Sequence, residues 1–170
     1  MQPEHATVLR NFCISTMEGE AKITRKIIAA IPENNRDYKP DSNARSAFDL
    51  AWHLAHSDVF FLEGIANGQF AMGEKKPDDI KTVADIVRWY DDKLPGSIAK
   101  VKAMPADKLA QNMNFFDAFN QPAVTYLMFQ NNHAIHHRGQ LATYLRPMGS
   151  KCPSIYGGSF DEPYQAAAKA

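Results

Sequence analysis

Apolar side chains recur every three or four residues in four segments of this 170-residue chain, which is the spacing of one face of an α-helix. The segments run over about 4–31, 44–66, 82–104 and 122–146. Proline or glycine follows each segment, and both residues end helices. No stretch alternates apolar and polar residues as a half-buried strand does. The sequence therefore predicts an all-α protein with the architecture of a four-helix bundle.

The boundaries of the third segment carry two sharper predictions. Thr82, with Asp85 three residues later, matches a capping box and predicts the start of a helix. Pro95 is followed by glycine and is predicted to kink or break this helix, because proline lacks the backbone N–H and clashes with the preceding turn. We interpret residues 68–81 as a loop and residues 105–121 as an irregular aromatic stretch.

Length and charge restrict the class of protein. A chain of this length predicts one domain over residues 1–170, with 151–170 as a C-terminal tail. Lys and Arg together number 19, as do Asp and Glu, so the net charge is zero. The chain therefore lacks the excess of positive charge that is typical of a nucleic-acid-binding protein. No window has the length of uncharged apolar residues that spans a bilayer, and the N-terminus lacks a signal-peptide pattern. Two cysteines are too few for a disulfide scaffold. We expect a soluble cytoplasmic protein with no nucleic-acid or membrane partner.

Five of the six histidines fall in two clusters, on the second and the last predicted helices. His133 and His137 are four residues apart, so on a helix they lie one above the other and can share one metal ion. At 100° per residue, His53 faces inward, whereas His56 lies on the charged side of its helix and His136 lies off the edge of the inward stripe. The pattern favours a three-nitrogen metal site of His53, His133 and His137 with an open position.

Polar residues near these histidines are candidates to line a pocket or to support the metal ligands. The stripe that carries His133 and His137 also holds Tyr126, Gln130, Gln140 and Tyr144. Glu20 lies within the apolar stripe of the first helix, where a carboxylate needs a partner to offset its desolvation. It is a candidate to bond a ligand histidine or to contact substrate, and the alternative is a core carboxylate bonded to Arg or Tyr. We expect Arg138 to point off the site face.

Several of these motifs resemble those of a known family. The run His-Ala-Ile-His-His-Arg-Gly-Gln-Leu at 133–141, followed by 144–149, resembles the last-helix signature of the DinB family. Residues 52–55 resemble its second-helix histidine motif, and the tail at 153–163 is similar to the ending of one DinB subgroup. The resemblance implies a four-helix bundle with up-down-down-up connectivity, a divalent metal on His53, His133 and His137, and a homodimer.

The resemblance also implies a range of functions. DinB members with assigned activities are mainly thiol-dependent S-transferases, together with a maleylpyruvate isomerase that uses a low-molecular-weight thiol. It therefore implies a metal-dependent enzyme acting on a small-molecule substrate, foremost an S-transferase that uses a low-molecular-weight thiol. Three imidazoles suit zinc, nickel, iron or copper, and we expect zinc or nickel foremost, with iron as an alternative. No residue is assigned as catalytic. A metal-dependent hydrolase, a non-catalytic metal- or ligand-binding protein of a stress response, and a metal-free bundle with core histidines stay open.

Overall fold

Five α-helices and one β-hairpin make up the regular structure of residues 1–71 and 75–164, which are the residues that the computed structural model describes. The helices are α1 (Pro3–Ala29), α2 (Ala47–Asn67), α3 (Val83–Lys102), α4 (Ala106–Ala110) and α5 (Thr125–Leu145). The hairpin pairs β1 (Asn112–Phe115) with β2 (Phe119–Pro122) in antiparallel register. A short 3-10 helix, Glu33–Asn35, follows α1. Parts of the predicted loop and of the predicted tail, residues 72–74 and 165–170, lie outside the described residues.

Local capping chemistry sets the ends of α2 and α3. The side chain of Ser46 accepts a hydrogen bond from the backbone N–H of Asp49 at 3.0 Å, which satisfies one of the free donors at the start of α2. At the other end, Gly68 adopts the left-handed conformation with φ +73, which glycine tolerates best. Thr82 and Asp85 form the predicted capping box of α3.

Pro95 lies inside α3, which runs from Val83 to Lys102 as one helix, so the predicted interruption does not divide it. Pro95 is exposed, and so is Asp91, whose carbonyl loses its usual backbone partner. Water can satisfy that carbonyl, while Leu94 remains buried in the core on the opposite side. The tertiary contacts of the buried face therefore outweigh the local preference against proline.

Two hydrogen bonds between a pair of helices show their relative direction. If the residue numbers rise together from one bond to the next, the helices are parallel, and if one rises while the other falls, they are antiparallel. For the antiparallel pair α1 and α3 the bonds are Arg10 with Lys102 and Arg25 with Asp91. For the parallel pair α2 and α3 they are Tyr90 with Asp58 and Ser97 with Glu63. For the antiparallel pair α2 and α5 they are His53 with His137 and Gln130 with Asp58. The four long helices thus form the predicted up-down-down-up bundle.

The core lies between α2 and its two neighbours, α3 and α5, while α1 packs against α3 and α5 from the opposite corner. Leu50, Leu54, Leu62 and Ile65 of α2 are completely buried, as expected for a helix that is apolar nearly all round. No helix within residues 1–71 and 75–164 combines the length and the apolar composition needed to cross a lipid bilayer.

The segment 105–121, predicted to be irregular, forms α4 and most of the hairpin. Each strand has only four residues, and Met113 is the single buried residue of β1. Strands this short cannot display a clear alternation of apolar and polar residues. The ring of Phe115 lies 5.8 Å from that of Tyr126, so the hairpin packs on the first turn of α5.

Candidate metal centre

Three histidine side chains from two antiparallel helices converge on one point. The Nε2 atom of His53, on α2, lies 3.1 Å from Nε2 of His133 and 3.2 Å from Nε2 of His137, both on α5. The described residues hold one group of three or more His, Cys, Asp or Glu side chains that could share a metal ion, and it consists of these three histidines. The structure therefore brings together the three residues that helical periodicity selected.

The separations between the nitrogen atoms fit a metal ion. Two imidazole nitrogens bound to one Zn²⁺ at about 2.0–2.1 Å in tetrahedral geometry lie roughly 3.3 Å apart. The distances of 3.1 and 3.2 Å are close to that value. They also match hydrogen bonds between neutral imidazoles, which is the arrangement expected of metal-free core histidines. The donor set suits zinc, nickel, iron or copper.

All three histidines are held in the neutral form that binds metals. The pKa of His53 is lowered to about 3 and that of His133 to about 4, first because burial penalises the charged ring and then because neighbouring positive charges oppose it. Burial also lowers the pKa of His137. The charge of Arg45, which lies just before the N-cap of α2, contributes to the shift of all three pKa values.

The second ring nitrogens of the two α5 histidines have different surroundings. Nδ1 of His137 lies 3.0 Å from Oε1 of Gln140, so the amide oxygen can accept the Nδ1 proton and keep Nε2 free to bind a cation. The Gln140 amide in turn donates to the Tyr144 hydroxyl at 3.3 Å. Nδ1 of His133 is buried without a hydrogen-bond partner among the described residues. Gln140 thus orients one histidine, and Tyr144 supports Gln140.

The two remaining clustered histidines stay outside the convergence point. The ring of His56 lies 5.3 Å from that of Trp52 and 6.1 Å from that of Trp89, so it packs half-buried between α2 and α3. His136 is exposed, and its ring lies 4.8 Å from that of His137. The helical angles correctly predicted that His56 and His136 do not point toward the other three histidines. His56 is nevertheless half-buried, although it was predicted to lie on the charged side of its helix.

Glu20 bonds to groups other than the histidines. Its carboxylate forms an ion pair with Arg138, and the hydroxyl of Tyr156 donates to the same oxygen at 2.7 Å. Arg138 is 1% exposed and also donates to Thr24 at 3.0 Å. The contacts of Glu20 are therefore those of the alternative interpretation, a core carboxylate bonded to Arg and Tyr. Arg138 points away from the histidines, as expected, and it enters the core toward α1.

Two residues of the predicted pocket stripe also have their hydrogen bonds elsewhere. The hydroxyl of Tyr126 donates to the carbonyl of Met113 at 2.8 Å and so fastens the hairpin to α5. The amide of Gln130 donates to Asp58 at 2.6 Å. Helical angles give the direction of a side chain around the helix axis but not its position along the axis. Tyr126 and Gln130 point the same way as His133, but they lie one to two turns before it on α5, where other elements cover the helix.

Asp58 is a buried carboxylate that the sequence analysis did not single out. It accepts hydrogen bonds from Tyr90 and Gln130, both at 2.6 Å. Burial nevertheless raises its pKa to about 6. Its signal in the sequence is the one that singled out Glu20, an acidic residue within an otherwise apolar helix.

The bundle and its histidine cluster together define a helical protein with a group of three histidines that could hold a metal ion. The DinB family matches residues 10–167, so the chain belongs to the DinB family. The uncharacterised protein YjoA of Bacillus subtilis (strain 168) is 24% identical over 142 residues, which cover 82% of this chain and 90% of YjoA. The uncharacterised protein YrdA of the same organism is 24% identical over 150 residues, covering 88% of this chain and 89% of YrdA.

Solved structures share the fold. The crystal structure of the DinB-like protein YjoA from Bacillus subtilis has a TM-score of 0.66 at 21% identity and covers 89% of this chain and 99% of its own. That of a DinB-like protein from Bacillus cereus ATCC 10987 has a TM-score of 0.71 at 20% identity and covers 85% of this chain and 95% of its own. At these identities the likeness extends to the fold alone, so chemistry has to be argued from the residues of this chain.

Proposed function

We propose that His53, His133 and His137 bind one divalent transition metal ion and that the protein is a metal-dependent enzyme acting on small molecules. The proposal is supported most directly by the Nε2 atoms of His133 and His137, which lie 3.1 and 3.2 Å from Nε2 of His53. Burial supports it because it keeps the rings neutral, and Gln140 supports it because it fixes the tautomer of His137. Zinc and nickel are the foremost candidates, with iron as an alternative.

The reaction we propose is the transfer of a low-molecular-weight thiol to an electrophile. A divalent cation held by three neutral nitrogens keeps its full charge and promotes loss of the thiol proton at neutral pH. The thiol sulfur forms a carbon–sulfur bond, and the leaving group departs with its electron pair. The chain supplies the neutral nitrogens, the orienting amide of Gln140, and the positive charge of Arg45 beside the site.

We further propose that the protein works in the cytoplasm as a homodimer, without nucleic acid as a partner. Cys13 and Cys152 are free thiols, which suits a reducing compartment. Val8 and Phe12 are exposed one turn apart on α1, and such apolar side chains favour a contact between subunits. Sedimentation of the purified protein tests the oligomeric state directly.

The transferase proposal is tested by incubating metal-loaded protein with low-molecular-weight thiols and electrophilic acceptors, and by following the loss of free thiol. We expect turnover in the wild type and none in His137→Ala. His136→Ala is the matched control, since it removes a neighbouring exposed ring, and it should keep the wild-type rate. Absence of thiol consumption by the metal-loaded wild type would contradict transferase activity.

Hydrolysis is the second candidate reaction, because the same cation would lower the pKa of water if no thiol enters. A panel of ester and amide substrates without thiol separates the two reactions. Product formation that does not depend on thiol would favour the hydrolase. A metal-loaded protein that turns over neither panel would favour a non-catalytic binding protein.

A further inference from the structure

Five phenylalanine rings form a continuous aromatic surface beside the histidine cluster. We call it the aromatic wall, and its members are Phe61, Phe115, Phe116, Phe119 and Phe129. Neighbouring rings along it have centroids between 4.9 and 5.9 Å apart. These separations are within the range of favourable aromatic pairs. The wall joins three elements, α2, the hairpin and α5.

The aromatic wall begins at the histidines themselves. The ring of Phe61 lies 6.0 Å from that of His133. Phe129 precedes His133 by four residues on α5, so their side chains share one face of the helix. A molecule whose reactive group reaches the histidines therefore meets the wall with its neighbouring atoms.

Three rings of the wall are unusually open to solvent for side chains that pack on one another. Phe116 is 41% exposed, Phe119 is 47% exposed and Phe129 is 40% exposed. Contiguous exposed apolar surface is uncommon on soluble proteins and often marks a binding site. Each of these rings thus packs on the protein and still has surface available to a ligand.

The turn of the hairpin places Phe116 in an unfavourable backbone conformation. Phe116 has φ +49 and Asp117 has φ +58, a region that bulky side chains rarely adopt. The side chain of Asn114 secures the turn, because its Oδ1 accepts from the backbone N–H of Asp117 at 2.8 Å and its Nδ2 donates to the carboxylate of Asp117 at 2.6 Å. Glycine or asparagine would suit position 116 better for stability alone, which suggests that the ring is kept for contact with a ligand.

We propose that the aromatic wall binds an aromatic or similarly planar apolar group of the substrate while the substrate's reactive end lies at the histidine cluster. This inference rests on the proposed function and adds a substrate class to it. Phe119 and Phe129 are the specificity-determining residues, because Phe119 is the most exposed ring of the wall and lies 5.9 Å from Phe129, which precedes His133 by one helical turn.

The size of the exposed patch favours a small molecule over a second copy of the chain. A fully buried aromatic side chain removes roughly 150–250 Å² from water, so three rings that are 40–47% exposed offer roughly 190–320 Å². A stable protein interface needs about 800 Å² from each partner. The patch is of the size that one planar ligand covers.

The test uses Co²⁺-loaded protein and two thiols that differ in one ring, ethanethiol and phenylmethanethiol. The visible and near-ultraviolet absorption of Co²⁺ reports thiolate coordination without any turnover. We expect phenylmethanethiol to bind about tenfold more tightly than ethanethiol, as expected for partial burial of one phenyl group. Phe119→Ser and Phe129→Ala should reduce this preference to about twofold, chiefly by weakening the binding of phenylmethanethiol. Phe160→Ala, which removes a 90% exposed ring in the C-terminal segment, is the matched control and should keep the preference.

Phe116→Asn adds an independent readout. We expect it to raise the midpoint of thermal unfolding, because asparagine tolerates positive φ, and to weaken the phenyl preference. A lower midpoint would mean that the ring is held for stability and would count against the proposal.

If neither thiol changes the Co²⁺ spectrum, the metal-centred function is contradicted. If both thiols change it with equal affinity, the metal site stands and the aromatic wall is not a binding site. If Phe119→Ser converts a dimer to monomers in sedimentation, the wall is a subunit interface and the proposal is overturned.

Discussion

His137 and Arg138 are consecutive residues of α5, yet they belong to two polar regions that differ in how their hydrogen bonds are satisfied. Arg138 is fully buried, and it donates to Thr24 and pairs with Glu20, which also accepts from Tyr156. Donors and acceptors in this arginine cluster match one another. In the histidine cluster, by contrast, three similar nitrogens face each other and Nδ1 of His133 has no partner among the described residues.

Structural and functional polar residues in a helical core can be distinguished by whether their hydrogen-bonding groups have partners within the protein. A buried charge that is matched by bonded partners contributes to the specificity of packing. Three neutral imidazole nitrogens that converge on one point can satisfy one another only in part by hydrogen bonds, and they also suit an external cation. The arginine cluster is therefore expected to affect stability, and the histidine cluster to affect metal binding, although they lie on one helix.

The largest expected effect is on stability and follows from Glu20→Ala. The substitution leaves the guanidinium of Arg138 buried without its countercharge, which should cost about 3–5 kcal/mol of unfolding free energy. Urea unfolding of the metal-free protein measures the change, and Co²⁺ affinity should stay at the wild-type value. Asp91→Ala, which breaks the exposed ion pair with Arg25, is the control and should have a far smaller effect. Equal costs for the two variants would contradict the role of the arginine cluster.

The second effect is a pH dependence from Asp58, which belongs to neither cluster. Its pKa is about 6 in the folded protein against an ordinary value of 3.8, so folding favours the protonated carboxyl. Stability from this group is present below about pH 4 and is lost as pH rises through 6. Relative to Asp58→Asn, the wild type should lose roughly 2–3 kcal/mol between pH 4 and pH 7.

Urea unfolding of the wild type and of Asp58→Asn across that pH range tests the prediction, because other titrating groups cancel in the difference. A difference in stability that stays constant with pH would show that the Asp58 carboxyl titrates as in the unfolded chain.

A third and smaller effect tests the support of the histidine cluster. Gln140→Met keeps the length of the side chain but removes the oxygen that accepts the Nδ1 proton of His137. We expect Co²⁺ affinity to fall about tenfold, with little change in the stability of the metal-free protein. Isothermal titration calorimetry gives the affinity, and Thr143→Ala on the same helix is the control. An unchanged affinity would mean that Gln140 does not orient His137.

The smallest expected effect is the one that most sharply separates the two clusters. In His133→Leu an apolar side chain replaces a ring whose Nδ1 is buried without a partner, so the metal-free protein should be unchanged or stabilised by up to about 1 kcal/mol. Thermal unfolding in the presence of a chelator measures it. A loss comparable with that of Glu20→Ala would show that the histidines are structural core residues.

Much of the fold and the central geometry could be predicted because both depend on helical periodicity. The segment boundaries fell within a few residues of the long helices, and the angles on α2 and α5 selected His53, His133 and His137 as the inward set. The capping box at Thr82 was also confirmed, since it depends on local chemistry alone.

The remaining features depend on neighbours that a helical wheel does not contain. Arg138 points off the site face, but only the packing of α1 against α5 gives it Glu20 as a partner. Tyr126 lies on the same face of α5 as His133 and His137, yet the hairpin covers that part of α5 and the Tyr126 hydroxyl donates to the carbonyl of Met113. Pro95 remains inside a helix because its buried neighbours hold α3 in place.

The metal content of the purified, untagged protein shows whether His53, His133 and His137 bind a metal ion. Wild type, His133→Ala and His136→Ala are loaded with Zn²⁺, dialysed and measured by elemental analysis. We predict about one ion per chain in the wild type and in His136→Ala, and none in His133→Ala. A wild type that retains no ion, or equal contents in all three proteins, would contradict a metal site of His53, His133 and His137.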